Sequence, residues 1–230
     1  MNKIYIIYNL LYERYGAQGW WPFINHDKIN SGYHKLNYQF PRNSDEVFEV
    51  CLGSILTQNT TFKSVVRSLH NLNNLNCLSS KAIESMDIEV FKEAIRPSGY
   101  YNQKARYILE FIKFFHTLNE TTPIREELLK VIGIGEETAD SILLYGYNQP
   151  QFVVDTYTKR VLIELEIIDP KAKYKEIKAL FENSLTNNCK NEKELVIVYQ
   201  EYHALIVEHS KQFYSKKPYG VECFLKDQSL

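Results

Sequence analysis

The sequence predicts an all-α protein, and three observations lead to this prediction. Apolar residues recur at helical spacing, as in Phe48, Cys51, Leu52, Ile55 and Leu56, which follow the i, i+3, i+4 pattern of an amphipathic helix. Sustained alternation with a period of two is almost absent. Short segments rich in Gly, Pro, Asn and Ser separate the periodic stretches, as loops between helices do. We therefore expect about nine to eleven helices.

Loop-forming residues mark where the predicted helices begin and end along the chain. After a first helix, residues 22–45 form a long connection, and Ser44 followed by acidic residues is typical of an N-cap. The segment 96–99 interrupts the chain before the next long helix, and Asn148 to Pro150 end another. QFVVD at 151–155 is the one stretch that resembles a strand, and we expect an extended loop between helices there.

Composition limits the class of protein. The chain has 230 residues, a formal net charge of −1 and 44% hydrophobic residues, which is ordinary for a globular protein of one or two domains. No apolar run approaches the ~18 residues of a membrane span, and the N-terminus reads as a first helix rather than a signal peptide. The near-neutral charge does not by itself indicate a nucleic-acid partner.

The four cysteines do not form a metal-binding pattern. Cys51, Cys77, Cys189 and Cys223 are irregularly spaced, unlike C-x-x-C motifs. We expect four reduced thiols in a cytoplasmic protein, associated with the nucleoid if the cell is prokaryotic.

The most informative stretch is LLKVIGIGEETADSILLYGYNQPQFVVDTYTKRVL at 128–162, which reads as helix, tight turn, helix, loop, helix. Gly133 and Gly135 bracket Ile134, and glycines permit positive φ and an unhindered backbone. The N–H groups of such a turn can face a phosphate. A tight turn between two helices, without a ligand, is the alternative.

The order of motifs in this stretch resembles the endonuclease III-like DNA glycosylase superfamily. The resemblance consists of V-I-G-I-G-x-x-T-A-D, a helix, Pro150 and V-V-D-T-Y at 153–157, and LGSILTQNT at 52–60 extends it. It implies a helix-hairpin-helix motif and two helical domains with a DNA-binding cleft between them. The six-helix domain with the hairpin would span 44–150, and 1–43 would pair with 151–230. The implied partner is double-stranded DNA containing a damaged base, bound by a monomer.

The same resemblance assigns roles to individual residues. Asp155 is the implied catalytic carboxylate, although it also suits the N-cap of the helix that follows. Gln58 is the implied plug, which fills the gap left by the flipped base, and Tyr100 is the implied wedge in the opposite strand. The alternatives are an ordinary amide at a helix end for Gln58 and a surface aromatic for Tyr100. Residues 133–135 and Lys104 would contact phosphates.

Glu137 marks a departure from the superfamily's bifunctional members. Those members carry a catalytic lysine two residues after the second hairpin glycine, and here that position is Glu137. A carboxylate cannot form an imine, so we expect hydrolysis without strand cleavage. The alternative role for Glu137 is a favourable interaction with the N-terminus of its own helix.

A narrower resemblance points to the monofunctional 3-methyladenine DNA glycosylase branch. It consists of W-W-P at 20–22, R-P-S-G-Y-Y-N-Q-K-A at 96–105 and H-A-L-I-V-E-H-S-K-Q at 203–212. The implied base pocket contains Trp20, Trp21, Phe48, Glu137 and Lys211. Aromatic faces attract cationic methylated purines, but Leu205 replaces a lysine of the branch.

No cofactor is expected. The iron–sulfur cluster of many relatives needs four closely spaced cysteines, and only Cys189 and Cys223 lie near the C-terminus. No metal is expected at the catalytic residues. A monovalent cation at the hairpin carbonyls is common in such motifs.

The sequence thus predicts an enzyme that flips alkylated purines out of DNA and removes them by water attack at C1′. Three alternatives stay open. The same fold can act on oxidised, deaminated or mismatched bases; it can carry AP-lyase activity through another lysine; or the hairpin can serve a non-catalytic DNA-binding module.

Overall fold

The computed structural model describes residues 2–24 and 32–228. Within these ranges the protein is helical, and the β-type contact they contain is an isolated antiparallel bridge between Phe23 and Gly32. The predicted all-α class is confirmed. None of the described helices has the length and apolarity needed to span a membrane.

Eleven α-helices are formed by the described residues. They are α1 (Lys3–Tyr15), α2 (Ser44–Leu56), α3 (Phe62–Asn74), α4 (Ser80–Glu84), α5 (Ile88–Ile95), α6 (Tyr101–Thr117), α7 (Arg125–Leu128), α8 (Glu136–Ser141), α9 (Thr156–Glu164), α10 (Tyr174–Leu185) and α11 (Glu192–Phe213). A 3₁₀ turn (Arg96–Ser98) precedes α6, and a π-helical turn (Ile142–Gly146) extends α8. Two further 3₁₀ turns are Thr186–Asn188 and Phe224–Asp227.

The chain forms two compact units. The hairpin unit consists of Trp21–His34 and Gln39–Tyr147, and the α11 unit consists of Met1–Trp20, Lys35–Tyr38 and Asn148–Leu230. The predicted boundaries placed all of residues 1–43 with 151–230. The units divide the N-terminal segment differently, and domain boundaries at 44 and 150 remain a proposal.

Helix α2 lies at the centre of the hairpin unit. It packs against α3, α6, α8 and the π-helical turn, and most of its residues are buried. Ser44 was predicted as its N-cap, but Ser44 is the first helical residue, and the side chain of Asn43 accepts the N–H of Glu46 at 2.9 Å. The cap lies one residue earlier because the Asn43 oxygen reaches the third N–H of the helix.

Helix α11 is the corresponding centre of the α11 unit. Helices α1 and α9 pack against it. The ring of Phe152 stacks on Phe181 with centroids 3.9 Å apart, and Tyr199 and Tyr202 meet it edge-on. Residues 151–155 form an extended loop, as predicted. Because Phe152 to Val154 are buried, the loop is anchored immediately before Asp155.

Candidate active site and nucleic-acid interface

Asp155 caps α9 with one carboxylate oxygen. Its Oδ1 accepts hydrogen bonds from the N–H of Thr158 at 2.7 Å and from Thr158 Oγ1 at 2.8 Å. No hydrogen bond from the described residues reaches Oδ2, and the side chain is 14% exposed. Two donors on one oxygen hold the carboxylate in a fixed orientation. The cap and a chemical role for Oδ2 are therefore compatible.

His203 of α11 lies beside this carboxylate. Its Nε2 is 3.8 Å from Asp155 Oδ2, which is too long for a hydrogen bond. Burial lowers the pKa of His203, and the negative charge of Asp155 opposes this shift. The ring of Trp20 meets the imidazole edge-on, with centroids 6.1 Å apart. His203 has no role of its own among the sequence-based predictions, although it begins the H-A-L-I-V-E-H-S-K-Q motif at 203–212.

Glu201, two residues earlier on α11, holds the chain that leads into Trp20. It is buried, and its carboxylate accepts the N–H groups of Gln18 at 2.6 Å and Gly19 at 3.2 Å, together with the hydroxyl of Tyr38 at 3.2 Å. Sequence reasoning missed this residue. The available signal was a charged side chain among the apolar residues of α11.

Trp21 is held within the hairpin unit. Its ring lies so close to α2 that a Cβ at position 53 would be 2.9 Å from it, which only glycine avoids. The ring also contacts Phe62 and Tyr145, with centroids 5.6 and 5.4 Å away. Trp20 and Trp21 are both buried and belong to different units.

Phe48 does not match its predicted place in the base pocket. The side chain has no exposed surface, and its ring packs against Phe115 with centroids 5.4 Å apart. It lies on the apolar stripe of α2, which directs it into the core of the hairpin unit. We therefore treat Phe48 as a core residue.

The hairpin connects α7 to α8, and its two glycines differ. Gly133 has a φ of +86°, and a Cβ there would lie 2.2 Å from the ring of Tyr107. Gly135 has an extended backbone with open space around it, and it forms the N-cap of α8. Only Gly133 therefore needs the left-handed region and the missing side chain.

The hairpin presents Ile132 rather than Ile134 to solvent. Ile134 was predicted to contact DNA, but its side chain is buried in the core and its N–H donates to the carbonyl of Val131 at 3.1 Å, so a phosphate would have to replace that hydrogen bond. Ile132 is 47% exposed. The backbone turn between the glycines directs these two apolar side chains to different sides.

An ion pair fixes the two hairpin helices to each other. The guanidinium of Arg125 in α7 donates to both oxygens of the buried Asp140 in α8, at 2.6 and 3.1 Å. Bidentate pairs of this kind are geometrically specific. Asp140 is the aspartate of the T-A-D motif and has no function among the sequence-based predictions.

The predicted plug and wedge residues lie in the hairpin unit. Gln58 Nε2 donates to the carbonyl of Gly133 at 2.8 Å and to Thr138 Oγ1 at 3.1 Å. Tyr100 precedes α6 with a φ of +47° and is 67% exposed. A large side chain at positive φ is unusual, and strained backbone of this kind is concentrated at functional sites.

Lys104 does not fit the predicted phosphate contact. Its side chain is buried, and its Nζ donates to the carbonyls of Leu56 at 2.7 Å and Ser98 at 2.8 Å. Burial lowers the pKa of Lys104 to about 8. The residue lies four positions before Ile108 on the apolar stripe of α6, which turns it toward the core.

Glu137 and Lys211 are both exposed. Glu137 lies in the first turn of α8, where a carboxylate interacts favourably with the helix N-terminus. Lys211 lies in the last turn of α11 and pairs with Glu208 at 2.8 Å.

Possible cofactor ligands are few. Within the described ranges no three or more His, Cys, Asp or Glu side chains are grouped so that they could hold a metal ion, and all four cysteines are free. The hairpin carbonyl of Gly133 accepts the Gln58 amide. A monovalent cation at that oxygen would share it with this donor or displace it.

The chain is similar to known DNA repair proteins. The sequence profile described as "HhH-GPD superfamily base excision DNA repair protein" matches residues 52–186. A Methanocaldococcus jannaschii protein, provisionally named a DNA repair glycosylase, is 40% identical over 100% of this chain and 96% of its own length. Endonuclease III of Sulfolobus acidocaldarius is 30% identical over 79% of this chain and 80% of its own.

The protein is also similar to solved structures of DNA repair enzymes. The H. pylori 3-methyladenine DNA glycosylase bound to 1,N6-ethenoadenine has a TM-score of 0.64 and 31% identity, over 76% of this chain and 91% of that one. A trapped covalent complex of endonuclease III with DNA has a TM-score of 0.70 over 96% of this chain and 91% of that one. With 17% identity, the second likeness establishes the fold alone.

Proposed function

Because the chain belongs to the HhH-GPD superfamily of base excision DNA repair proteins, we propose that it is a monofunctional DNA glycosylase that excises alkylated purines of the 3-methyladenine type from double-stranded DNA. The observation that carries this proposal is the fixed carboxylate of Asp155, with Oδ1 bound by Thr158 and Oδ2 left for chemistry. The similarity to the H. pylori 3-methyladenine DNA glycosylase supports the choice of substrate.

The negative charge of the Asp155 carboxylate assists cleavage of the glycosidic bond. As the bond between C1′ and the base nitrogen breaks, its electron pair leaves with the base and positive charge develops on the sugar. A fixed carboxylate stabilises this charge and accepts a proton from the water that bonds to C1′. A purine methylated at N3 or N7 is already cationic, so it leaves without a strong acid.

The aromatic residues of the N-terminal segment suit such a base. The faces of Trp20 and Trp21 attract a cationic ring more than a neutral one. Contacts with His203 for Trp20, and with Gly53 for Trp21, hold each indole in one orientation. A base extruded from the duplex is bound by stacking on aromatic side chains.

Glu137 supports hydrolysis without strand cleavage. It lies at the hairpin position where bifunctional relatives carry the lysine that forms a Schiff base, and a carboxylate cannot replace that amine. Lys104 has a lowered pKa, as an activated lysine has, but its ammonium is buried on two carbonyls. Borohydride treatment during turnover is expected to trap no covalent adduct with DNA, and a trapped adduct would contradict the monofunctional mechanism.

The first experiment measures release of 3-methyladenine and 7-methylguanine from methylated DNA. Wild type should release at least one of them, and Asp155→Asn should be slower by about 100-fold or more. Asp169→Asn, which changes an exposed aspartate of the same unit, is the matched control and should keep the wild-type rate. Absence of release by wild type would disprove the substrate, and duplexes with uracil, hypoxanthine or oxidised bases would then be screened.

A further inference from the structure

Lys104 connects the chain segments that precede the predicted plug and wedge. Leu56 is the last residue of α2, two residues before Gln58, and Ser98 ends the 3₁₀ turn, two residues before Tyr100. The Nζ atom of Lys104 donates to the carbonyls of both Leu56 and Ser98. One buried ammonium group therefore joins the two segments within the hairpin unit.

The carbonyls at the ends of these helical turns are natural acceptors for a cation. The last carbonyls of a helix lack partners inside it and carry the negative end of its dipole. No carboxylate of the described residues lies within ion-pair distance of Lys104, whose own contacts are these two carbonyls. A methionine would fill the space without burying a charge, but it would leave both carbonyls unbound and the segments unconnected.

Lys104 also forms hydrogen bonds with the backbone on both sides of Gly99, at Tyr100 and at Ser98. Its own N–H donates to the carbonyl of Tyr100 at 2.9 Å as the first hydrogen bond of α6, while its side chain returns to Ser98. Ser98 is itself buried, and its hydroxyl donates to the carbonyl of Ile95 at 2.7 Å. The strained, exposed Tyr100 is therefore held on both sides.

We propose that Lys104 is a positioning residue that fixes the segment carrying Gln58 and the segment carrying Tyr100 at one spacing, so that both side chains enter the duplex together when the damaged nucleotide leaves the base stack. The inference rests on the proposed function, because it takes Gln58 and Tyr100 to enter DNA. It replaces the surface role first predicted for Lys104 with a role inside the protein, where the residue acts without touching DNA.

The test compares excision from paired and pre-opened DNA. One strand with a single 7-methylguanine is annealed either to its full complement or to a complement with a tetrahydrofuran abasic site opposite the lesion, where opening costs little. Lys104→Met should slow single-turnover excision from the paired duplex about tenfold or more, and from the opened duplex by less than about threefold. Lys113→Met, which removes an exposed lysine of the same helix, should match wild type on both.

The ratio of the two rates separates positioning from stability. A partly unfolded Lys104→Met protein would lose both activities in proportion, so an equal fall on the two substrates would overturn the proposal. Circular dichroism and urea unfolding would measure the folded fraction directly.

A second readout does not depend on excision. 2-Aminopurine placed beside the lesion becomes more fluorescent when an inserted side chain unstacks it. Wild type and Lys113→Met should raise this fluorescence at saturating protein, and Lys104→Met should raise it less. If wild type unstacks the probe but releases no base, the proposed substrate fails while the role of Lys104 is still tested. Equal fluorescence for wild type and Lys104→Met, or no rise with wild type, would overturn the inference.

Discussion

At the residue scale, Asp155 combines a structural and a proposed chemical role in one side chain. Its Oδ1 satisfies the N-terminus of α9 through Thr158, while Oδ2 lies 3.8 Å from the imidazole of His203. Burial lowers the pKa of His203 and so disfavours a charged imidazolium beside the carboxylate. The imidazole therefore competes less with the developing charge of the sugar.

The two roles of Asp155 can be separated by substitution. Asn is as good an N-cap as Asp, whereas Ala cannot cap, so Asp155→Ala should lower the free energy of unfolding by about 1 kcal/mol while Asp155→Asn changes it by a few tenths. Both variants lack the carboxylate and should lose base release equally. Urea unfolding and a base-release assay on the same preparations measure the two effects. Substantial activity in Asp155→Asn would show that capping, and not charge, is what the enzyme needs.

At the scale of elements, the hairpin is held from three directions. The Arg125–Asp140 pair joins α7 to α8, Gln58 donates to the Gly133 carbonyl, and the ring of Tyr107 covers Gly133. Tyr107 lies on α6, the helix that also carries Lys104. The predicted phosphate-binding turn and the predicted wedge are thus supported by the same helix.

The two hairpin glycines provide a matched pair of variants. Gly133→Ala places a Cβ 2.2 Å from the Tyr107 ring at a φ of +86°, and we expect a loss of about 2–4 kcal/mol in the free energy of unfolding. Gly135→Ala meets open space at an extended backbone and should cost at most about 1 kcal/mol, as a weaker N-cap. Urea unfolding compares them, and equal losses would mean that Tyr107 does not restrict this turn.

At the scale of the whole molecule, sequence periodicity predicted the helices because a buried face repeats every 3.6 residues. The same periodicity placed Lys104 in register with Ile108 on a buried face, but residue type favoured the surface, and the two carbonyls that accept its ammonium come from distant segments. Glu201 was missed for the same reason, since its partners Gln18 and Gly19 are more than 180 residues away in sequence. Local patterns identify elements, whereas buried polar contacts depend on which elements meet.

The α11 unit contains a buried polar cluster that makes its stability depend on pH. His209 is fully buried; its Nδ1 lies 3.0 Å from the hydroxyl of Tyr15 and its Nε2 lies 3.3 Å from Cys223 Sγ, which also accepts the Tyr214 hydroxyl. Burial, with a smaller contribution from Arg14, lowers the pKa of His209 to about 4. The unfolded chain, with a histidine pKa of about 6.5, therefore binds the proton more tightly than the folded protein does.

This difference predicts the direction of the pH effect. Between pH 6.5 and pH 4 the unfolded state takes up the His209 proton and the folded state does not, so stability is complete above pH 6.5 and falls with acidification. Between pH 7.5 and pH 5, the titration of His209 lowers the free energy of unfolding by about 2 kcal/mol. Urea unfolding of wild type and His209→Gln at both pH values isolates it, because other groups titrate alike in the two proteins. The wild-type free energy of unfolding should fall more steeply by this amount; parallel pH dependences would show that the folded protein protonates the imidazole of His209 as readily as the unfolded chain does.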